Sequence, residues 1–229
     1  MSNKPIESEI SSYVGKLLRD NFGKGPSSVY VSIKKPFITI HVRDFLAPME
    51  KILVNQSEQE RVEQTRDMLM RELLPEMKAT INVTADIHLQ EMYYDWSLSN
   101  RSGIIIGVMH QEDHVSHTDE YEEKAEVHEE INHVSKQAEK APEKIESFYI
   151  NDRTLLIIRK GILVPIEKEL IRSGFEQKLK LVKRHLEKRL INTASFEQIL
   201  GLPVGDAFVD WDFNQDLSYV VLILKPNQK

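Results

Sequence analysis

Short runs of alternating hydrophobic and polar residues predict a β-hairpin near the start of each half of the chain. Residues 29–33 alternate, and residues 37–42 form a second apolar run after the turn at Lys34-Lys35-Pro36. This pattern is typical of strands that bury one face. Residues 148–150 and 154–158 flank Asn151-Asp152-Arg153, where Asn and Asp favour a turn because their side chains hydrogen-bond to nearby backbone.

A period of three to four residues predicts a leading helix and a long central helix. Residues 6–22 carry apolar side chains at this spacing, and Phe22-Gly23-Lys24-Gly25-Pro26 then ends the helix. Gly favours a helix stop, and Pro cannot continue the helix. A short helical segment begins at Pro48, since Pro is well placed in a first helical turn. The long helix follows, with one face formed by Val62, Thr65, Leu69 and Leu73.

The two halves of the chain are copies of one unit. At an offset of 117 residues, 45–51 aligns with 162–168, and the face of the long helix aligns with Leu179, Val182, Leu186 and Leu190. At an offset of 115 residues, Asp95-Trp96 aligns with Asp210-Trp211, and a turn and a nearly all-apolar strand follow each pair. Such strands are typical of the centre of a sheet. Because a repeat of this kind determines the fold, it guides the prediction of architecture.

We therefore predict an α+β fold with two tandem copies of a hairpin–long helix–hairpin unit. Each copy would form a four-stranded antiparallel sheet with helices on one face. The expected boundaries are 1–110 for the first repeat with its leading helix, 111–142 for an acidic, His-bearing linker or degenerate helix, and 143–229 for the second repeat. A single layer leaves apolar surface to cover, and we hypothesise that the copies pack as a pseudo-dimer.

Composition narrows the cellular setting. The chain is 41% hydrophobic and has no cysteine, which excludes disulfides, thiol catalysis and thiolate metal sites. No apolar run approaches the roughly 20 residues that cross a bilayer, and the polar N-terminal segment has no secretory signal. We expect a cytoplasmic protein.

Charge is concentrated in two segments. Residues 113–146 hold 11 acidic and 4 basic residues, so the net charge of −6 belongs to this segment and the remainder is close to neutral. The second long helix is basic through Lys178, Lys180, Lys183, Arg184, Lys188 and Arg189. Such a stripe is usually a solvated face, and docking of the acidic segment on it is the simplest functional interpretation. Anionic lipid and nucleic acid are the other interpretations, but no interleaved aromatic residues favour nucleic acid.

Candidate metal and catalytic chemistry is sparse. His110, His114 and His117 have spacings of four and three, which suits zinc or nickel, although a solvated linker is the simpler explanation. No phosphate-binding glycine pattern or nucleophile elbow is present, and no triad can be assembled from sequence. We therefore predict no cofactor and no enzyme activity.

Two short motifs occur in both copies. The Asp-Trp pairs favour a Trp in the core with the Asp at a strand end. Glu50-Lys51 and Glu167-Lys168 follow the helix-leading prolines. A Glu in the first turn is stabilised by the helix dipole, whereas the Lys that follows it has no such explanation.

The order of motifs in the first copy resembles the MpsC-like family. The resemblance rests on Phe22-Gly23-Lys24-Gly25-Pro26, the hairpin, Leu46-Ala47-Pro48-Met49-Glu50-Lys51, the long helix and the closing hairpin. Family members look like single units of this size, so the chain resembles a tandem version. The second copy departs from the pattern, with Glu139-Lys140-Ala141-Pro142 in place of the glycine signature. The first copy departs at Tyr94-Asp95-Trp96, where a more polar strand end is expected.

The family is associated with a sodium-translocating, membrane-potential-generating system whose membrane components look like those of bicarbonate-uptake complexes. The resemblance implies a non-enzymatic cytoplasmic accessory or regulatory protein, peripheral at the inner face of the membrane. Its partner would be a membrane-protein complex of ion or inorganic-carbon transport, and homo-oligomerisation is left open. The alternative is a small-ligand or metal-sensing module with its ligand between the repeats. The candidate binding residues are Phe22, Gly23, Lys24, Gly25, Pro26, Pro48, Glu50 and Lys51.

Overall fold

A computed structural model describes residues 5–110 and 119–226 of the chain. The chain divides into two compact units, Met1–Val115 (unit 1) and Ser116–Lys229 (unit 2). The packing of the two copies as a pseudo-dimer stays a prediction.

Unit 1 contains one antiparallel sheet covered by helices. The chain order is α1 (Ile6–Phe22), β1 (Ser28–Lys34), β2 (Phe37–Arg43), α2 (Pro48–Asn55), α3 (Gln59–Ala85), β3 (Leu89–Ser97) and β4 (Ser102–Met109). The strand order is β1-β2-β4-β3. A buried core joins α1 and α3 to the sheet through Val14, Leu18, Met70, Met77, Ile38, Ile40 and Ile105. These positions follow a helical period in α1 and α3 and a strand period in β2.

Unit 2 repeats this architecture. Its elements are α4 (Lys124–Ala138), β5 (Lys144–Asn151), β6 (Thr154–Lys160), α5 (Pro165–Arg172), α6 (Glu176–Thr193), α7 (Phe196–Leu200), β7 (Val204–Asp212) and β8 (Leu217–Leu224). The strand order β5-β6-β8-β7 matches that of unit 1, which confirms the predicted α+β fold with two tandem copies. Helix α4 lies within residues 111–142, predicted as an acidic linker or degenerate helix, and its Val127, Ile131 and Val134 are buried in the core of unit 2.

The long helices of the two units differ in continuity. Helix α3 runs unbroken through Pro75, whereas the corresponding segment of unit 2 ends as α6 at Thr193 and resumes as α7 at Phe196. The segment 176–200 has two residues fewer than 59–85, and this accounts for the change of offset from 117 to 115.

Two predictions about these helices are wrong. On the predicted apolar face Val62 and Leu73 are buried, but Thr65 and its partner Val182 are exposed. The predicted solvated basic stripe includes Lys183 and Arg184, which are 3% and 0% exposed. The buried row of each long helix contains charged residues because these side chains pair inside the unit.

Candidate functional site

The predicted binding residues lie at one end of the unit 1 sheet. Phe22 ends α1, and its ring centroid lies 5.1 Å from that of Phe45 and 6.4 Å from that of Trp96. Gly23 adopts φ 73° and donates its N–H to the Arg19 carbonyl. The residue that ends α1 is thus in the left-handed conformation, which favours glycine. Lys24 Nζ lies 3.7 Å from the carboxylate of Asp44, in the segment that follows β2.

The remaining predicted residues divide into half-buried and exposed groups. Gly25 packs so closely on α1 that an added Cβ would lie 3.1 Å from the Cβ of Arg19. Pro26 is half-buried, and Pro48 and Lys51 are exposed. Glu50 is drawn inward by a residue that the sequence analysis did not single out, Arg66. The structure therefore brings Phe22 and Glu50 together around one cation, and leaves Pro48 and Lys51 at the surface.

Arg66 is the centre of a group that we call the arginine cluster, formed with Glu50, Phe22, Phe45 and Trp96. Its Nε and Nη2 donate to the two carboxylate oxygens of Glu50 at 2.8 and 2.7 Å, and Nη2 also donates to the Phe45 carbonyl at 2.9 Å. The guanidinium carbon lies 4.7 Å from the Trp96 ring centroid, 4.8 Å from that of Phe45 and 5.8 Å from that of Phe22. A fully buried Arg is thus held by a bidentate ion pair and three aromatic rings.

Glu50 also explains the start of α2. Its Oε2 accepts a 2.7 Å hydrogen bond from the Ala47 N–H, and Glu167 Oε2 accepts one of 3.0 Å from the Val164 N–H. Each Glu is the third residue of its helix, so it stabilises the helix start and binds the buried cation 16 positions later. The repeated Glu therefore connects the short helix to the long helix in both units.

Unit 2 has Lys183 at the position of Arg66, in a group that we call the lysine cluster: Lys183, Glu139, Glu167, Glu187 and Arg159. The ammonium binds Glu167 Oε1 at 2.8 Å, contacts Glu139 Oε1, and lies 3.7 Å from Glu187 Oε1. Arg159 pairs with the other oxygen of Glu187. Arg159 also donates from Nε to Ser218 Oγ at 2.7 Å and from Nη1 to Ser135 Oγ at 3.0 Å, so each of its three nitrogens has a partner.

The lysine cluster holds three carboxylates and two cations, so its charge is uneven. Burial and the nearby charge of Glu187 raise the pKa of Glu139 to about 8, although Lys183 lowers it. Burial opposes ionisation of Glu187, but Arg159 and Lys183 outweigh burial and hold its pKa below the ordinary value. Of these two carboxyl groups, Glu139 is therefore the one that keeps a proton to higher pH.

A polar cleft of 570 Å³ opens beside the arginine cluster. We call it the unit 1 cleft. It is lined by Ser27, Ser28, Arg43, Asp44, Ser99, Asn100 and Arg101. The cleft forms where the start of β1, the end of β2 and the β3–β4 turn meet, since the Ser27 N–H donates to Arg43 and the Phe45 N–H donates to Arg101. Two guanidinium groups and three Ser side chains thus line the cleft, directly after the predicted glycine motif. Ser27 Oγ donates to the Arg43 carbonyl at 3.3 Å, and Ser99 Oγ lies 3.4 Å from Ser97 Oγ.

The Asp-Trp pairs have a structural role. Trp96 and Trp211 are buried in the two cores, as expected. The Asp residues lie inside β3 and β7 and not at strand ends, and each accepts a hydrogen bond from the N–H of the Trp that follows it. The prediction of a strand-end position is therefore wrong.

The predicted metal ligands are only partly within the structure. His110 is exposed at the end of β4, whereas His114 and His117 lie outside the described residues. Within residues 5–110 and 119–226, no three His, Cys, Asp or Glu side chains are grouped so that they could hold a metal ion. The histidine site stays a prediction.

Comparison with known proteins identifies the family. The family model described as "Na+-translocating membrane potential-generating system (MpsC)" matches residues 2–111 and again 121–226. The chain belongs to the MpsC family. The two matches correspond to the two units, so this MpsC protein contains two copies of the family domain. No curated protein and no solved structure matches the chain. In the part of the chain that the structure describes, no helix has the length and hydrophobicity needed to cross a bilayer.

Sequence analysis missed Arg66, Lys183, Arg159 and Glu187 as members of buried clusters. A signal was present in the aligned repeats. At an offset of 117, Val42 aligns with Arg159 and Met70 aligns with Glu187, so two apolar residues are replaced by opposite charges. Such a paired change is typical of contacting residues, because one buried charge requires the other.

Proposed function

We propose that this MpsC protein is a non-enzymatic, cytoplasmic accessory or regulatory subunit of a sodium-translocating, membrane-potential-generating system. The match of the family model to both units carries the proposal. The subunit binds peripherally at the inner face of the membrane, and its partner is the membrane complex of ion or inorganic-carbon transport. The alternative, a small-ligand or metal-sensing module with its ligand between the repeats, stays a prediction.

The short helices α2 and α5 supply the contact surface in this proposal. Met49 is 75% exposed and Ile52 is 58% exposed, on one side of α2 directly after Pro48. Ile166 is 66% exposed at the position of unit 2 that corresponds to Met49. Exposed apolar side chains on a helix held rigidly by an ion pair favour recognition of a protein partner, because their burial is favourable and the helix is already ordered.

Affinity capture from gently solubilised membranes of the native cell tests the proposal, with captured proteins identified by mass spectrometry. We expect the tagged protein to recover membrane subunits of a sodium- or bicarbonate-linked system. The double variant Met49→Ser/Ile52→Ser should recover much less of them, whereas Val83→Ser, which changes a residue 86% exposed near the end of α3, should recover as much as the wild type. Recovery of no membrane subunit, under conditions that keep a known membrane complex intact, would overturn the proposal.

A further inference from the structure

The unit 1 cleft combines positive charge with hydrogen-bond donors. Arg43 and Arg101 are exposed cations on its wall, and Lys24 lies nearby, paired with Asp44. Asp44 is its one lining carboxylate, 3.9 Å from Arg101 Nη1 and 3.7 Å from Lys24 Nζ, both longer than a hydrogen bond. Lys24 and Arg101 therefore share one half-exposed carboxylate, Arg43 adds a third cation, and the cleft retains an excess of positive charge.

The same corner of unit 2 is built with carboxylates. The Ser27 N–H donates to Arg43 in unit 1, and the Glu143 N–H donates to Lys160 in unit 2, so Glu143 stands at the position of Ser27. Asp216 stands at the position of Arg101, and both residues have φ 52°. The unit 2 corner therefore has two carboxylates where unit 1 has a hydroxyl and a guanidinium.

Asp216 is held by hydrogen bonds and an ion pair within unit 2, and Glu143 packs over the backbone of Gly161. Asp216 Oδ1 accepts hydrogen bonds of 2.9 Å from the N–H groups of Ile162 and Leu163, and Oδ2 lies 3.1 Å from Lys168 Nζ. Burial opposes ionisation, but these partners hold the pKa of Asp216 below its ordinary value. The Glu143 side chain fills the space over Gly161, where an added Cβ would lie 2.4 Å from its carboxyl carbon. In unit 2 an acidic group of the chain itself therefore occupies the corner.

We propose that the unit 1 cleft binds a small oxyanion, such as a phosphate group or a carboxylate. Guanidinium groups bind these anions through paired N–H donors, and Ser hydroxyl and Asn amide groups complete the coordination. At this corner unit 2 carries carboxylates of the chain itself, whereas unit 1 presents Arg43 and Arg101 to a bound anion. This assignment does not rest on the proposed function, because it depends only on the lining of the cleft and on the comparison of the two units.

Isothermal titration of the full chain tests the site, with inorganic phosphate, acetate, or vesicles containing phosphatidate as the probe at constant ionic strength. These three arms separate a free phosphate, a carboxylate and a lipid headgroup. Arg43→Ala/Arg101→Ala should weaken binding of the active probe about tenfold or more. The matched variant Lys160→Ala in unit 2 should leave binding unchanged, since Lys160 is the exposed counterpart of Arg43.

A second variant moves affinity in the opposite direction. Asp44→Asn removes the competing carboxylate, and Asn tolerates the φ of 51° at this position. We expect several-fold tighter binding, because Arg101 and Lys24 lose their internal counterion. Tighter binding by Asp44→Asn together with weaker binding by the double Arg variant supports the site. Absence of binding by all three probes, or binding that neither variant changes, overturns it.

Discussion

Arg66 and Lys183 occupy the same position in the two units, but the interior around them is different. Arg66 has one carboxylate partner and three aromatic neighbours, whereas Lys183 lies among three carboxylates and a second cation. Leu18, Val42, Met70 and Gly103 of unit 1 are replaced in unit 2 by Ser135, Arg159, Glu187 and Ser218, which are joined by hydrogen bonds or an ion pair through Arg159. In unit 2 the buried Arg159–Glu187 ion pair thus occurs together with two Ser hydroxyl partners that unit 1 does not have.

The largest expected effect comes from breaking that ion pair. Arg159→Val and Glu187→Met each leave a buried charge without its main partner, and we expect each to lower the free energy of unfolding by about 3–5 kcal/mol. The double variant carries the residues that unit 1 has at these positions, so it should regain most of the loss. Urea denaturation of the four proteins in a double-mutant cycle checks this, and losses that simply add would contradict it.

A smaller effect is expected from exchanging the cation of unit 1. Arg66→Lys keeps the charge but loses the bidentate geometry and the hydrogen bond to the Phe45 carbonyl. We expect a loss of about 1–3 kcal/mol in the free energy of unfolding, measured by urea denaturation. Arg61→Lys is the matched control, because Arg61 lies on the same helix with a side chain that is 69% exposed. Equal effects of the two changes would show that the cluster geometry contributes nothing.

A steric effect is expected from adding a side chain at Gly103. A Cβ at Gly103 would lie 2.2 Å from the Trp96 ring, although unit 2 has Ser218 at this position. We expect Gly103→Ala to lower the free energy of unfolding by about 1–2 kcal/mol, because Trp96 must move. Gly15→Ala in α1 is the control: its Cβ would lie 3.6 Å from Val29, and Ala favours a helix. A melting temperature that falls for Gly103→Ala but not for Gly15→Ala meets the expectation, and equal changes contradict it.

The smallest expected effect concerns pH. The pKa of Glu139 is raised from 4.5 to about 8 by burial and by Glu187, so the folded chain keeps a proton that the unfolded chain releases. The stabilising contribution is complete below pH 4.5 and is lost as pH rises through about 8.

Glu139→Gln should remove this part of the pH dependence of the free energy of unfolding between pH 5 and pH 8.5. Urea denaturation of both proteins at several pH values checks it. If the free energy of unfolding depends on pH in the same way in wild type and variant, Glu139 is not the group that causes the pH dependence. Glu126→Gln, on the exposed side of α4, is the matched control.

The sequence predicts the order of helices and strands because the spacing of apolar residues and the offset between the two copies can be read along the chain, without knowledge of any tertiary contact. It does not predict the clusters, because Arg66 and Lys183 look like solvent-facing charges when each residue is judged by its type. Their burial depends on partners far apart in sequence, which are Glu50 for Arg66 and both Glu139 and Glu167 for Lys183. The glycine motif and Glu50 could be found as repeated or family residues. The unit 1 cleft could not, because it forms only where three segments distant in sequence meet.

The interruption between α6 and α7 allows unit 2 to differ in length without changing its sheet. Removing two residues from a continuous helix turns everything after the deletion by about 200° and moves its apolar side chains toward solvent. The non-helical joint at Ala194 and Ser195 absorbs that rotation, so Phe196 and Leu200 remain in the core and β7 keeps the register of β3. Helix α3 has no such joint. Natural variation in the length of this segment is therefore expected to concentrate in second copies, at the joint.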